Sequence, residues 1–118
     1  MTDKIYKICP ADIWQKAQEI GHFSGAGIDL VDGYIHFSTA EQVAQTAHLH
    51  FNGQRGLWLI EIETKTLPLK WEESRGGQLF PHLYDDLSMQ AVTQIWPMDL
   101  DDEGNHILPD MSTPLSHS

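Results

Sequence analysis

The chain has 118 residues, which fits a single domain, because domains commonly contain about 100–150 residues. Its 17 acidic side chains outnumber the seven Lys and Arg residues, and the formal net charge of −10 disfavours non-specific nucleic-acid binding, which depends on basic residues that neutralise phosphates. The single cysteine, Cys9, excludes an internal disulfide framework.

Hydropathy predicts neither a membrane segment nor a secretion signal. No apolar run approaches the roughly 18 residues that span a bilayer, and the first ten residues lack the basic-then-apolar order of a signal peptide. We therefore expect a cytoplasmic protein with no membrane partner. We expect one domain over residues 1–108 and a flexible C-terminal tail over residues 109–118, because the residues after Pro109 are small and polar. The sequence leaves the oligomeric state open.

The first predicted elements are a strand and a helix. "KIYKI" mixes β-branched, aromatic and lysine residues in alternation, which indicates a strand. "PADIWQKAQEIG" then has apolar residues at helical spacing, with a proline in the first turn and Gly21 as the C-cap. The glycine-rich segment His22–Gly33 has no long period, so we expect a loop with a short extended piece at residues 28–31.

A strand that leads directly into a helix is the next feature. In "GYIHFS" the alternation of a strand places His36 and Ser38 on one face. "TAEQVAQTAHLHF" has helical spacing, and the Ser38–Thr39 pair before it predicts a capping box. A helix start also concentrates free N–H groups and positive potential, which suit phosphate or carboxylate. Capping and anion binding by these hydroxyls do not exclude each other.

The second half of the chain is predicted to be mainly strands. "LWLIEIE" is apolar at its start and alternates at its end, which is typical of a central strand. Shorter candidates follow at "LPLKWE", at "LFPHLYDDL" and at residues 91–96, and Pro81 indicates an edge or irregular strand. Two early helices and several strands without regular β-α alternation predict an α+β domain with a mixed, twisted sheet.

Two further segments contain candidate binding residues. If "FPHLYDD" is extended, His82 and Tyr84 share a face, and a histidine among aromatic side chains can hold a planar ring. "WEESRGGQ" combines acidic residues, glycines and Arg75, which offers a bidentate contact to phosphate. An exposed turn with a surface ion pair is the competing interpretation of this loop.

The seven histidines raise two chemical alternatives. Histidine titrates near neutral pH, so His36 and His82 are the candidates for acid–base catalysis. A zinc site assembled from His22, His36 and His82 is the other alternative, although no HExxH or equivalent spacing supports it. We expect no metal site.

Three blocks of the chain together resemble a known family. They are "DGYIHFSTAEQVAQTAHLHFNG", "LWLIEIE" and "LKWEESRGGQLFPHLYDDL". In this order they resemble the small, mostly bacterial proteins of domain-of-unknown-function family 952, from about Ile5 to Leu100. The function of that family is not established, so the resemblance implies the fold more than the activity.

The family is similar, more distantly, to the ADP-ribosyltransferase-like fold, which includes the RNA 2′-phosphotransferases. Those enzymes bind NAD in a cleft of a split mixed sheet, and "IHFST" resembles their His-x-Ser element, which contributes to NAD binding. The resemblance implies a split sheet, NAD or a related nucleotide as the cofactor, and contacts from His36 and Ser38. It also implies a transferase, for which Glu72 and Glu73 are available carboxylates.

Two hypotheses about function remain open. The first is a polar cleft between the strand at residues 34–38 and the segment at residues 80–84, which binds a nucleotide-like or other anionic small molecule. Its predicted catalytic residues are His36 and His82, and its predicted ligand-binding residues are Ser38, Thr39, Glu73, Arg75 and Tyr84. The second is a non-enzymatic binding or interaction module in which these residues serve caps and core.

Overall fold

The computed structural model describes residues 3–73 and 77–109, which form nine β-strands and three α-helices. The strands are β1 (Lys4–Pro10), β2 (His22–Phe23), β3 (Ile35–His36), β4 (Leu57–Glu63), β5 (Lys70–Glu73), β6 (Leu79–Leu83), β7 (Leu87–Ser88), β8 (Val92–Leu100) and β9 (His106–Ile107). The helices are α1 (Ala11–Ile20), α2 (Ile28–Asp32) and α3 (Val43–His50), and a 3₁₀ turn covers Met89–Ala91. The predicted α+β class is confirmed. No helix among the described residues is long and apolar enough to cross a bilayer.

All strand pairs in the described residues are antiparallel. A four-stranded sheet has the order β1-β4-β8-β9, a three-stranded sheet has the order β3-β6-β5, and β2 pairs with β7. The predicted mixed sheet is therefore wrong. All three helices lie between β1 and β4 in the chain, and these strands pair antiparallel, so no helix forms the crossover that parallel neighbours need.

The two larger sheets meet at one bridge between β1 and the residue that follows the end of β3. The Tyr6 N–H donates to the Ser38 carbonyl at 2.7 Å, and the Ser38 N–H donates to the Tyr6 carbonyl at 2.9 Å. The Phe37 N–H donates to the Pro81 carbonyl at 3.1 Å, which continues the pairing with β6. The result is a curled antiparallel arrangement whose two parts meet beside His36.

The longest predicted elements are confirmed. β4 has the predicted bounds and lies between β1 and β8. α1 buries Trp14 and Ala17 and ends at Gly21, whose positive φ of 103° suits glycine and whose N–H donates to the Ala17 carbonyl. The predicted strands in the second half correspond to β5, β6 and β8.

The segment His22–Gly33 differs from its prediction. It contains β2 and α2, and the extended piece expected at residues 28–31 is wrong because these residues belong to α2. α2 buries Asp29 and exposes Ile28, Leu30 and Val31. Since its apolar residues face solvent, its sequence shows no core-facing helical period, and the helix could not be recognised from hydrophobicity.

The start of α3 also differs from its prediction. Gln42 Oε1 accepts from the Thr39 N–H at 3.0 Å, which is one half of the predicted capping box. The other half is wrong: α3 has no side-chain cap hydrogen bond, and the Ser38 hydroxyl contacts the Thr46 hydroxyl at 3.0 Å. A turn precedes the helix, and main-chain bonds from residues 42 and 43 to the Thr39 carbonyl close it.

The sequence predicts an edge or irregular strand at Pro81, and the edge alternative is wrong because Pro81 lies in a middle strand. β6 lies between β3 and β5. In an antiparallel ladder the N–H and the carbonyl of one residue face the same neighbour. The Pro81 carbonyl faces Phe37, just beyond the end of β3 at His36, so the missing N–H falls where that ladder ends.

The core lies on both faces of the four-stranded sheet. One cluster joins Ile5 and Ile60 of that sheet to Ile35 and Leu83 of the three-stranded sheet, and Trp14 packs within it. A second cluster places α3 against the opposite face through buried residues, which are Tyr6, Ile8, Val43, Ala47, Leu57, Leu59 and Met98. The two sheets therefore share one core.

Candidate functional site

Two histidines face each other on neighbouring strands. His36 of β3 is directly opposite His82 of β6 in the antiparallel register. Their ring centroids are 5.2 Å apart and the rings meet edge to face. Strand alternation points both side chains to the same side of the sheet. The predicted pairing of these two histidines in one site is therefore consistent with the geometry.

A buried carboxylate holds the His36 ring. Asp29 Oδ1 lies 2.6 Å from His36 Nδ1, and Asp29 Oδ2 lies 2.7 Å from the Lys7 ammonium. The Asp29 side chain has no exposed area, and that of Lys7 is 8% exposed. The Lys7 ammonium also donates to the His36 carbonyl at 3.0 Å. A buried ion pair thus connects β1, α2 and β3 at the site.

The charge of Asp29 is set by two opposing effects. Burial alone would raise the pKa of Asp29, because the carboxylate loses water. The hydrogen bond from His36 and the positive charge of Lys7 outweigh burial and lower the pKa to about 2. Asp29 is therefore an anion at neutral pH, and it orients the His36 ring through Nδ1.

A second carboxylate holds the His82 ring. Glu72 Oε1 lies 2.7 Å from His82 Nδ1 and accepts from the Tyr84 hydroxyl, also at 2.7 Å. The bonds from His82 and Tyr84 lower the pKa of Glu72, and the bond to Glu72 raises the pKa of Tyr84 to about 12. The Lys70 ammonium lies 5.0 Å from the centroid of the Tyr84 ring.

The Tyr34 ring lies against the other rings of the site. Its centroid is 4.5 Å from that of His36, 4.4 Å from that of His82 and 4.8 Å from that of Tyr84. Aromatic rings attract one another at such distances. This contact packs both imidazoles on one side and limits their rotation.

A cavity of about 590 Å³ lies beside both histidines, between β1, β3, α3 and the start of α2. Its polar lining includes Lys7, Asp32, His36, Ser38, Thr46 and His82, and its apolar lining includes Ile8, Ile13, Phe37, Phe51 and Phe80. Asp32 Oδ2 lies 3.1 Å from His36 Nε2. Polar groups on an otherwise apolar wall are typical of small-molecule sites.

The model of the family described as protein of unknown function, DUF952, matches residues 8–95 of this chain. The chain belongs to the DUF952 family. The predicted family is therefore confirmed, and the match includes β3, α3 and β6, which surround the cavity.

Solved structures show the same fold in a relative of this DUF952 chain. In a crystal structure, Protein CC0527 from Caulobacter crescentus is 44% identical, with a TM-score of 0.84 over 88% of this chain and 93% of that one. A solution NMR structure of CC0527 is 45% identical, with a TM-score of 0.78 over 86% of this chain and 90% of that one. None of the curated proteins matches this chain.

The predicted site residues of this DUF952 chain fall into three groups. His36, His82 and Ser38 line the cavity. Thr39, Tyr84 and Glu73 do not: Thr39 is buried, the Tyr84 hydroxyl donates to Glu72, and Glu73 follows Glu72 on β5. Arg75 lies outside the described residues.

Three charged residues of the candidate site could not be recognised from the sequence. Lys7, Asp29 and Asp32 contact His36 but lie in segments interpreted as a strand and a loop. Lys7 stands between Tyr6 and Ile8, both buried, and a lysine flanked by two apolar strand residues was the available signal. No set of three His, Cys, Asp or Glu residues in the described part of the chain is arranged to hold a metal ion.

Proposed function

We propose that the cavity beside His36 and His82 binds an anionic small molecule with a nucleotide-like ring. The observation that supports this proposal most is the position of Lys7, a cation that lines the cavity and is almost completely buried. An ammonium has three N–H donors. Within the described residues, Lys7 uses two of them, on Asp29 and on the His36 carbonyl.

The third donor of Lys7 favours a ligand with an anionic oxygen. A buried cation gains from every hydrogen bond that it completes, because burial has removed the water that would otherwise bind it. Ser38 lines the same cavity and adds a hydroxyl. A phosphate or carboxylate oxygen can accept from both groups.

The apolar part of the cavity favours a ring. Ile8, Ile13, Phe51 and Phe80 form walls that offer no charge, and aromatic side chains stack on planar rings. A volume of about 590 Å³ falls in the range of roughly 300–1,000 Å³ that is usual for small-molecule pockets. A nucleotide combines a flat base with an anionic phosphate.

We also propose that the fold is related to the ADP-ribosyltransferase-like enzymes and that the ligand is NAD or a related nucleotide. A sheet split into two parts that meet beside a cavity supports this relation, as do His36 and Ser38 on the cavity wall. Under this proposal the protein is a transferase, and Glu72, which lies 2.7 Å from Nδ1 of His82, is its candidate carboxylate.

Thermal unfolding in the presence of NAD, ADP-ribose, AMP and inorganic phosphate tests the proposal. A ligand at about 100 times its dissociation constant stabilises the folded state by roughly 2.7 kcal/mol, which raises the Tm of a domain of this size by roughly 10 °C. Ser38→Ala and His36→Ala should reduce the shift. His48→Ala should not, because His48 is exposed on α3 and does not line the cavity.

The outcomes separate the two hypotheses. A shift with a nucleotide that both cavity variants weaken supports the proposal. If no compound raises the Tm of the wild-type protein, the nucleotide proposal is wrong, and the hypothesis of a module with structural histidines takes its place.

A further inference from the structure

We propose that His36 and His82 form an acid–base pair that hydrolyses a nucleoside phosphodiester bound in the cavity. This inference rests on the proposed function, because the cavity must first accept a nucleotide. It assigns a reaction and a substrate class to the two histidines.

Two carboxylate–imidazole pairs converge on the same cavity wall. The Asp29–His36 pair joins α2 to β3 at 2.6 Å, and the Glu72–His82 pair joins β5 to β6 at 2.7 Å. In each pair the carboxylate contacts Nδ1, which fixes the ring and makes Nε2 the nitrogen that can exchange a proton with a substrate. Both rings border the cavity, and their centroids are 5.2 Å apart.

The surroundings of the two Nε2 atoms differ, and this difference assigns the roles. Among the described residues, no hydrogen-bond partner is found for Nε2 of His82, so its lone pair is available to accept a proton. Both ring nitrogens of His36 lie against carboxylates, those of Asp29 and Asp32. Only the imidazolium donates from both nitrogens at once. His82 is therefore the base and His36 the acid.

The reaction needs no other reactant than water. Nε2 of His82 takes a proton from a water molecule while the water oxygen forms a bond to phosphorus. The bond from phosphorus to the leaving oxygen breaks, and Nε2 of His36 gives its proton to that oxygen. The products are a phosphate monoester and an alcohol. A proton passed through solvent from His82 to His36 restores the starting state.

Two cavity groups can bind the phosphate during this step. The third N–H of Lys7 and the Ser38 hydroxyl line the cavity on the same side as His36. They would donate to the two non-bridging oxygens, which carry the charge in the transition state. Asp32 must leave Nε2 of His36 when substrate binds, and its side chain, which is 36% exposed, already borders the solvent that would receive it.

The charge around the pair favours a diester. Three carboxylates, those of Asp29, Asp32 and Glu72, contact the two histidines. A phosphodiester brings one negative charge into this acidic site, whereas a monoester brings about two at neutral pH, and like charges at short distance repel. The same effect would favour release of the monoester product.

The pH dependence of the reaction follows from the groups around the two rings. The groups that face His36 are Lys7, Asp29, Asp32, Tyr34 and His82, and those that face His82 are Glu72, Lys70, Tyr34 and His36. Of these side-chain types, only histidine ordinarily titrates between pH 5 and 8. We expect a bell-shaped rate profile in which His82 must be neutral and His36 protonated.

Two substrates with different leaving groups test the assignment in the full chain. Thymidine 5′-(4-nitrophenyl phosphate) releases a weakly basic phenolate that needs little protonation, whereas thymidylyl-(3′→5′)-thymidine releases an alkoxide that needs an acid. His36→Asn should lower the rate on the dinucleotide about 100-fold or more and the rate on the nitrophenyl ester by less than about 10-fold. His82→Asn should lower both rates about 100-fold or more. His48→Asn should change neither.

A further variant separates chemistry from folding. Glu72 is partly exposed and positions His82, so Glu72→Gln should fold even if His82→Asn does not. It should lower kcat on both substrates with little change in KM, because the lost carboxylate no longer orients the His82 ring for proton transfer. A purely structural Glu72 would leave kcat unchanged. Circular dichroism and the Tm of each variant report its folding.

The result also distinguishes this inference from the proposed function. A nucleotide-induced rise in Tm without hydrolysis of either diester overturns the reaction but not the binding. Equal losses on both substrates in His36→Asn overturn the role of His36 as the acid. Hydrolysis that persists in His82→Asn overturns the role of the base. If the wild-type protein shows neither a rise in Tm nor hydrolysis, both proposals fail.

Discussion

At the scale of single residues, Asp29 is the side chain on which most of the site depends. Its two oxygens accept from the N–H groups of Ala26 and His36, from the His36 ring and from the Lys7 ammonium. These four bonds match the roughly four lone-pair positions of a carboxylate. Asp29 therefore fixes the position of three segments that carry site residues.

The lowered pKa of Asp29 predicts an acid-dependent loss of stability. The pKa of Asp29 is near the ordinary value of 3.8 in the unfolded chain and about 2 in the folded protein. The stabilisation by ionised Asp29 is therefore fully present above about pH 5 and decreases as the pH falls towards 2. The contribution is about 2 kcal/mol. Urea unfolding between pH 2 and pH 7 measures it.

Two variants check this prediction. Asp29→Asn leaves the Lys7 charge buried without its partner and should lower the free energy of unfolding by about 3–5 kcal/mol at pH 7. This deficit relative to the wild-type protein should be about 2 kcal/mol smaller at pH 2. Asp102→Asn, in an exposed turn, should follow the wild-type curve. A deficit of Asp29→Asn that stays constant over this range would contradict the assignment.

Asp32 should weaken the binding of an anionic ligand. Its carboxylate lines the cavity, and two unit charges about 4 Å apart in water interact by about 1 kcal/mol. We predict that Asp32→Asn tightens nucleotide binding about fivefold, measured by titration calorimetry, and that salt reduces the gain. Asp86→Asn is the matched control, because Asp86 contacts His22 and does not line the cavity. Unchanged or weaker binding by Asp32→Asn would contradict an anion site here.

Part of this site could be predicted from the sequence and part could not, and the reason is physical. The side-chain period of a strand put His36 and Ser38 on one face, and the cavity contains both. The partners of the histidines could not be predicted. Lys7 and Asp29 contact His36 only because separate segments fold together, and no local pattern encodes that contact.

At the scale of elements, the strands and helices that could be predicted are those that are long and whose apolar pattern or end residues mark both boundaries. β4 has seven residues, of which five are buried, and its apolar start and alternating end defined its bounds. α1 is enclosed by Pro10 and Gly21, which mark its ends in the sequence. α2 has five residues and exposes most of its apolar side chains, so tertiary contacts of Asp29 hold it in place and its own periodicity does not.

The turn before α2 should tolerate no side chain at Gly25. Gly25 has a φ of +122°, and an added Cβ would lie 2.9 Å from the Cβ of Asp29. We predict that Gly25→Ala lowers the free energy of unfolding by about 2–4 kcal/mol, from backbone strain together with displacement of Asp29. Gly21→Ala is the control: its φ of +103° is similar, but a Cβ there meets nothing within 4 Å, so strain alone should cost about 1–2 kcal/mol. If urea unfolding shows that Gly25→Ala and Gly21→Ala lose the same free energy of unfolding, the contact with Asp29 is unimportant.

At the scale of the whole molecule, the two larger sheets form one structural unit. In the described part of the chain the bridge between Tyr6 and Ser38 connects their main chains, and their buried side chains belong to a common cluster. Ile60 of the four-stranded sheet and Leu83 of the three-stranded sheet are both completely buried there. Separation of the sheets would expose this apolar surface to water and open the cavity between them.

The shared core predicts that both sheets unfold together. The amides of Phe37 and Ser38 bond to β6 and β1. In native-state hydrogen exchange at increasing denaturant, their opening free energy should equal that of the β4 amides within about 1 kcal/mol. The Gly104 amide, which bonds to Asp101 in an exposed turn, should exchange by local opening with little dependence on denaturant. If Phe37 and Ser38 instead exchange like Gly104, the three-stranded sheet opens alone. The pairing of His36 with His82 would then be a mobile feature that persists only while that sheet is closed, and a rigid acid–base pair would need ligand binding to assemble it.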